Sequence, residues 1–122
     1  MFEPGDTFYG GAEVHGKNHP WIIINDPSQH GGLALYVNIT SIRGGGFEDL
    51  TCVLQCGEHV SVSHPSYIRF DGAKSALVSE LDQAERLGLI RRGGKASSQL
   101  LTKIRHAALA AQRLKMDLKK LL

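Results

Sequence analysis

The run Trp21-Ile22-Ile23-Ile24-Asn25 constrains this chain more than any other stretch. Large aromatic and β-branched residues in succession favour an extended strand, and the absence of polar alternation requires that strand to be covered on both faces. The run stops at Asp26-Pro27-Ser28, which carries turn chemistry. Shorter β segments surround it: Thr7-Phe8-Tyr9 before it, then Leu33 to Ile39, entered through the Gly31-Gly32 pair of a tight hairpin. Gly44-Gly45-Gly46 breaks the chain ahead of a strand at Leu50–Leu54. Val60-Ser61-Val62 alternates, and Tyr67-Ile68-Arg69-Phe70 closes the series. Five or six short strands with Gly-rich turns predict a small barrel or sandwich.

The remainder has a different period. Ala76, Leu77, Leu81, Ala84 and Leu87 have helical spacing and predict a helix over 74–89. Arg91-Arg92-Gly93-Gly94 separates it from a second helix that Ser97 or Ser98 can cap. Leu101, Ile104, Ala108, Ala111, Leu114, Leu118 and Leu121 form its apolar stripe. A helix of about 24 residues would span roughly 36 Å, more than a small barrel's width, so part of it is expected on another subunit. The expected fold is mainly β with C-terminal helices: a barrel over 1–72 and one short and one long helix over 73–122. That helical segment is expected to pack on the barrel or on a dimer partner, in a single domain overall.

Chemistry-bearing composition narrows the function. A chain of 122 residues suits one domain. No apolar run approaches the roughly 20 residues of a membrane span, and Met1-Phe2-Glu3-Pro4-Gly5-Asp6 lacks the basic and apolar segments of a secretory signal. A cytoplasmic protein with no membrane contact is expected. Cys52 and Cys56, four apart on an extended segment, would stand about 13 Å apart, too far for a disulfide, so two buried reduced thiols are expected. Charge is uneven. Residues 1–90 carry five Lys/Arg against eleven Asp/Glu, a net of −6, and residues 91–122 carry nine against Asp117 alone, a net of +8. The tail is expected to meet an acidic partner, nucleic acid or the barrel's own acidic face, unless it is simply a solvated face.

Four segments read together resemble a known family. Pro4-Gly5-Asp6-Thr7-Phe8 is similar to the opening strand of the MazF/PemK/Kid toxins of bacterial toxin–antitoxin pairs. His19-Pro20 followed by the apolar run and Asn25-Asp26 resembles their Arg-Pro-(apolar)-Asn-Asp segment. Val37-Asn38-Ile39-Thr40-Ser41 resembles their apolar strand ending in Thr-Ser. Ser66-Tyr67-Ile68-Arg69-Phe70-Asp71 resembles the Arg-x-Asp strand of the Kid branch. The resemblance implies an SH3-like barrel, a homodimer, a cognate antitoxin or other protein partner, and metal-independent cleavage of single-stranded RNA through its own 2′-hydroxyl. Such chemistry needs a base, an acid and a cation for the developing charge. By position, Arg69 would handle phosphate or act as the acid, Asp71 would be the base, and Thr40 would orient the phosphate. Lys17, Ser41, Arg43 and Tyr67 would contact the RNA. Where the family has Arg, this chain has His19, which can exchange a proton near neutral pH but cannot form a permanent bidentate clamp.

Plainer readings stand beside these. Arg69 and Asp71, two apart on a strand, share a face and can form a structural ion pair. Thr40 can be a strand-end cap, His19 a loop histidine, and Trp21 and Tyr67 core aromatics. Cys56, His59 and His64, with His15 or His30, match no closed zinc pattern, so neither metal nor cofactor is expected. The competing functions are a non-catalytic barrel that binds protein or nucleic acid, and a basic tail that grips nucleic acid while the barrel scaffolds it.

Overall fold

The apolar run does form the most enclosed strand of the molecule. A computed structural model describes residues 1–10, 19–46 and 48–122. Its strands are β1 (Thr7–Gly10), β2 (Trp21–Ile23), β3 (Leu33–Ser41), β4 (Val53–Leu54), β5 (Ser66–Leu77) and β6 (Ile90–Arg92). They make one sheet in the order β4-β5-β3-β2-β1-β6, with every pairing antiparallel. Ile22, Ile23 and Ile24 are wholly buried. Ile22 and Ile24 belong to one apolar cluster and Ile23 to the other, as two-sided burial requires.

Asn25 prolongs the ladder after β2 ends. Its buried side chain donates to the Leu33 carbonyl at 3.0 Å and accepts the Leu35 N–H at 2.7 Å, standing in for a strand neighbour. Asp26 then caps a 3₁₀ turn at Pro27–Gln29 by accepting the Ser28 N–H. Gly31 and Gly32, at φ +63° and +86°, turn the chain into β3. An antiparallel hairpin does join β2 to β3, but through residues 24–32 with the 3₁₀ turn inside it rather than by the tight turn expected.

Helices cover both faces. On one face, Leu35, Val37, Ile39, Ile68 and Phe70 pack against Leu100, Ile104, Ala108, Ala111 and Leu114. The helix α2 (Ser98–Ala110) supplies the first three of that second set. Ser97 caps it by accepting the Leu100 N–H at 3.1 Å, and Arg105 pins it by donating to the Ile24 carbonyl at 2.8 Å. On the other face, Phe2, Phe8, Ile23, Ala34 and Ile90 enclose Leu81 of α1 (Val78–Arg86). Edge-to-face contacts link Phe2, Phe8, Tyr36 and Trp21 at centroid distances of 5.2–5.7 Å.

Five local expectations are corrected. The helix expected from Lys74 begins only at Val78, because β5 continues through position 72 to pair Ala76 with Ala34 and Leu77 with Leu33. Arg91-Arg92, expected as a linker, is strand β6 on the edge of β1. Arg92 reaches Asp6 at 3.0 Å and Glu85 at 2.8 Å and lies over the Phe2 ring, so both carboxylates and the ring stabilise it there. The long helix stops at Ala110; Lys119 donates to the Leu109 carbonyl, and a short α3 (Met116–Lys119) folds back so that Leu118, Leu121 and Leu122 meet the same core. The tail is thus part of this barrel's core. Val60-Ser61-Val62 lies in turns, with the Val62 N–H bonded locally to the His59 carbonyl, and β4 shrinks to Val53–Leu54.

The thiols also divide. Cys52 is buried and Cys56 exposed, correcting the expectation of two buried groups. Burial pushes the Cys52 thiol up to about 11, with Lys103 opposing and Glu58 and Asp49 adding to the rise. Alkylation at neutral pH should therefore modify Cys56 promptly and Cys52 only on unfolding, as time-resolved mass spectrometry would show; two equally fast thiols would contradict the packing. Asn25→Ala should lower stability in urea titration by about 2 kcal/mol, because the buried Leu35 N–H loses its acceptor.

Candidate functional site

Antiparallel pairing brings three strand ends to one rim. β2 begins beside the end of β3, with Trp21 opposite Asn38, and β5 begins beside it on the other edge, with Ser66 opposite Ser41. His19 and Pro20 precede β2, while His64 and Pro65 precede β5. A cavity of about 350 Å³ opens at this rim, lined by Tyr9, His19, Pro20, Ile39, Ser41, Arg43, Ser61, His64 and Ser66. Among these residues are one permanent cation, two imidazoles and three serine hydroxyls, but no carboxylate. That donor set suits an anion. The Arg91 guanidinium stacks 4.8 Å from the centroid of the Tyr9 ring and adds positive charge behind the wall.

Hydrogen bonds hold the His64 turn to the end of β3. The Ile42 N–H donates to the Pro65 carbonyl at 3.1 Å, and the Ser66 hydroxyl donates to the His64 carbonyl at 3.0 Å. The ring itself lies between two hydroxyls, with Ser41 Oγ 2.5 Å from Nε2 and Ser63 Oγ 3.1 Å from Nδ1. The sequence alone offers His64 only as a conceivable metal ligand. Its actual signal was position, at the start of the strand that pairs with Ser41, and that required the register.

His59 is a different kind of histidine. It is 7% exposed, and its Nδ1 accepts the Ser61 N–H at 3.1 Å. Nε2 therefore carries the proton and donates to the Gly94 carbonyl at 2.6 Å, an oxygen that also accepts from Thr7 Oγ1 at 2.7 Å. This histidine is a strut between the rim turn and the segment after β6. Gly94 leaves no space for a side chain, since a Cβ there would come within 2.9 Å of Val60.

The residues singled out from sequence fall on two sides of the sheet. His19, Ser41 and Arg43 line the cavity with Ile39 and Ser66. Thr40, between Ile39 and Ser41, and Tyr67, between Ser66 and Ile68, point the other way by strand alternation. There Thr40 pairs with Tyr67 and Asn38 with Arg69, and Thr40 donates to Asn38 Oδ1 at 2.7 Å. Arg69 and Asp71 are about half exposed and form an ion pair at 3.1 Å. Burial raises the Tyr67 phenol above its ordinary value, with Arg69 opposing. Lys17 lies outside the described residues, as does His15. Among the described residues, no group of three His, Cys, Asp or Glu side chains is placed to hold a metal, and no helix is long and apolar enough to cross a membrane.

No family model and no curated protein sequence matches the chain. Among solved structures, it is similar to a chain of the MazE–MazF complex (Form III) from Deinococcus radiodurans. That match has a TM-score of 0.56 at 14% identity and covers 93% of this chain and 97% of the other. A chain of the Form II complex matches with a TM-score of 0.54 at 17% identity, covering 93% and 96%. At such identity the likeness shows the fold. The chain has the MazF-like fold, mainly β with C-terminal helices, as the sequence implied.

Proposed function

We propose that the protein is the toxin of a type II toxin–antitoxin pair and cleaves single-stranded RNA without a metal. The observation that carries this reading is the rim cavity holding Arg43 and His19, whose lining among the described residues includes no carboxylate. The likeness to chains of MazE–MazF complexes supports an antitoxin as the protein partner, and a cytoplasmic homodimer is part of the same proposal, from the resemblance of the sequence motifs.

In the proposed reaction, a phosphodiester enters the cavity and Arg43 offsets the charge that builds on its non-bridging oxygens. The 2′-oxygen attacks phosphorus, the bond to the 5′-oxygen breaks, and His19 donates a proton to that leaving oxygen. The products are a 2′,3′-cyclic phosphate and a 5′-hydroxyl. Serine hydroxyls of the rim hold the phosphate by hydrogen bonds. Thr40, Tyr67 and Arg69 lie on the face of the β3–β5 ladder opposite the cavity, where they would take the flanking nucleotides: Tyr67 by stacking and Arg69 by a phosphate contact. Asp71, bonded to Arg69, would orient that guanidinium.

The test is cleavage of a long single-stranded RNA in chelator, with kcat and KM resolved. His19→Ala and Arg43→Ala should each lower kcat at least about a hundredfold, while Arg69→Ala should act chiefly on KM. No cleavage by folded wild-type protein would sink the enzyme reading and leave a non-catalytic binding barrel. Loss of kcat in Arg69→Ala alone would move the chemistry to the outer face.

A further inference from the structure

The cavity supplies an acid and a cation, but the attacking hydroxyl must also lose a proton. Asp71, the carboxylate that the family resemblance offers as base, lies across the sheet from the cavity in its pair with Arg69. We propose that His64 is the general base, that Ser63 holds it as the Nδ1–H tautomer, and that Ser41 Oγ marks where the RNA 2′-hydroxyl binds. This rests on the ribonuclease reading above and names a further residue for it.

The sheet order carries the geometry. His19 leads into β2 and His64 into β5, and these strands flank β3 on its two edges. Two strand spacings separate their backbones by roughly 10 Å. That interval leaves room for a phosphodiester between the two imidazoles, so that one can take a proton and the other give one. Both rings line the same cavity.

The hydrogen bonds give the ring its orientation. Ser41 Oγ is hydrogen-bonded to Nε2, so Nε2 already faces a hydroxyl from the cavity side. Ser63 Oγ is 3.1 Å from Nδ1 on the other side of the ring and can accept its proton. With Nδ1 protonated, Nε2 keeps its lone pair toward the cavity, the arrangement of a base steered by a third group. His59 makes the contrast, since its Nε2 faces a carbonyl, which can only accept. In the reaction, the 2′-hydroxyl proton passes to His64 Nε2 as the oxygen–phosphorus bond forms. Solvent exchange then returns that proton and reprotonates His19. Ser41 is a placeholder that the substrate displaces, and it forms no bond to phosphorus.

The experiment combines RNA cleavage in chelator with ring-nitrogen NMR of the whole protein. His64→Gln should lower kcat at least about a hundredfold with KM within about threefold, and should remove the acidic limb of the kcat–pH profile. Ser63→Ala should lower kcat several-fold and displace that limb, a shift that a purely structural role would not produce. In the NMR spectrum His64 should show the Nδ1–H form and His59 the Nε2–H form. Wild-type kcat and pH profile in His64→Gln would overturn this assignment while leaving the ribonuclease intact, and an Nε2–H form at His64 would overturn it without any RNA. Absence of cleavage by the wild type would remove both readings together.

Discussion

Strand β3 is bonded to β2 along one edge and to β5 along the other, and this double pairing decides where each candidate side chain points. A strand sends successive residues to opposite faces. Once Val37 and Ile39 are committed to the core with α2, Ser41 must face the cavity and Thr40 must face away. The same rule applied to β5 sends Ser66 inward and Tyr67, Arg69 and Asp71 outward. A one-residue slip in either pairing would exchange the two sets. The apolar commitments of Ile22, Ile24, Val37, Ile39, Ile68 and Phe70 therefore fix the site as firmly as they fix the core.

The β half was legible because its signals are local. An unbroken apolar run, a Gly-Gly turn and an Asp-Pro-Ser stop each act over a few residues, and each produced the expected element. Three of the misread elements depend on partners far along the chain, whereas Val60-Ser61-Val62 was lost to a local turn. Arg91-Arg92 has the composition of a polar linker, yet Asp6 and Glu85 make it an edge strand. Lys74 to Leu77 carries apolar residues at helical spacing, yet an open edge on β3 draws it into the sheet. The tail between Ala110 and Met116 contains neither Gly nor Pro. Its break follows from Ala111 and Leu114 reaching the core and from Lys119 capping the end of α2.

The site was half legible for the same reason. His19 and Ser41 could be named because the motifs in which they sit are contiguous, and Arg43 follows the second of these motifs by two residues. His64 and Tyr9 could not, since each joins the cavity only through a strand pairing. The two histidines of the rim turn, His59 and His64, are five apart and locally alike in composition. A backbone carbonyl against one and a pair of hydroxyls against the other give them different tasks. Residue type is common to both, so only the partner separates a strut from a candidate base.

The charge asymmetry has its physical answer inside the molecule. Glu3, Asp6, Glu58 and Glu85, four of the acids that make the first ninety residues negative, bond to Arg92, Lys95 and Lys103 of the basic tail. Lys103 and the Gln55 N–H hold the Glu58 carboxyl below its usual range, so this clamp contributes above the ordinary carboxylate range and weakens as acid protonates it. The acids of the first ninety residues are thus partly matched by cations of β6, of the segment after it and of α2. A negative net charge over 1–90 argues against RNA binding only if a ligand meets the whole of it. At the rim, an approaching phosphate meets Arg43, His19 and His64, and the distribution of charge outweighs its sum.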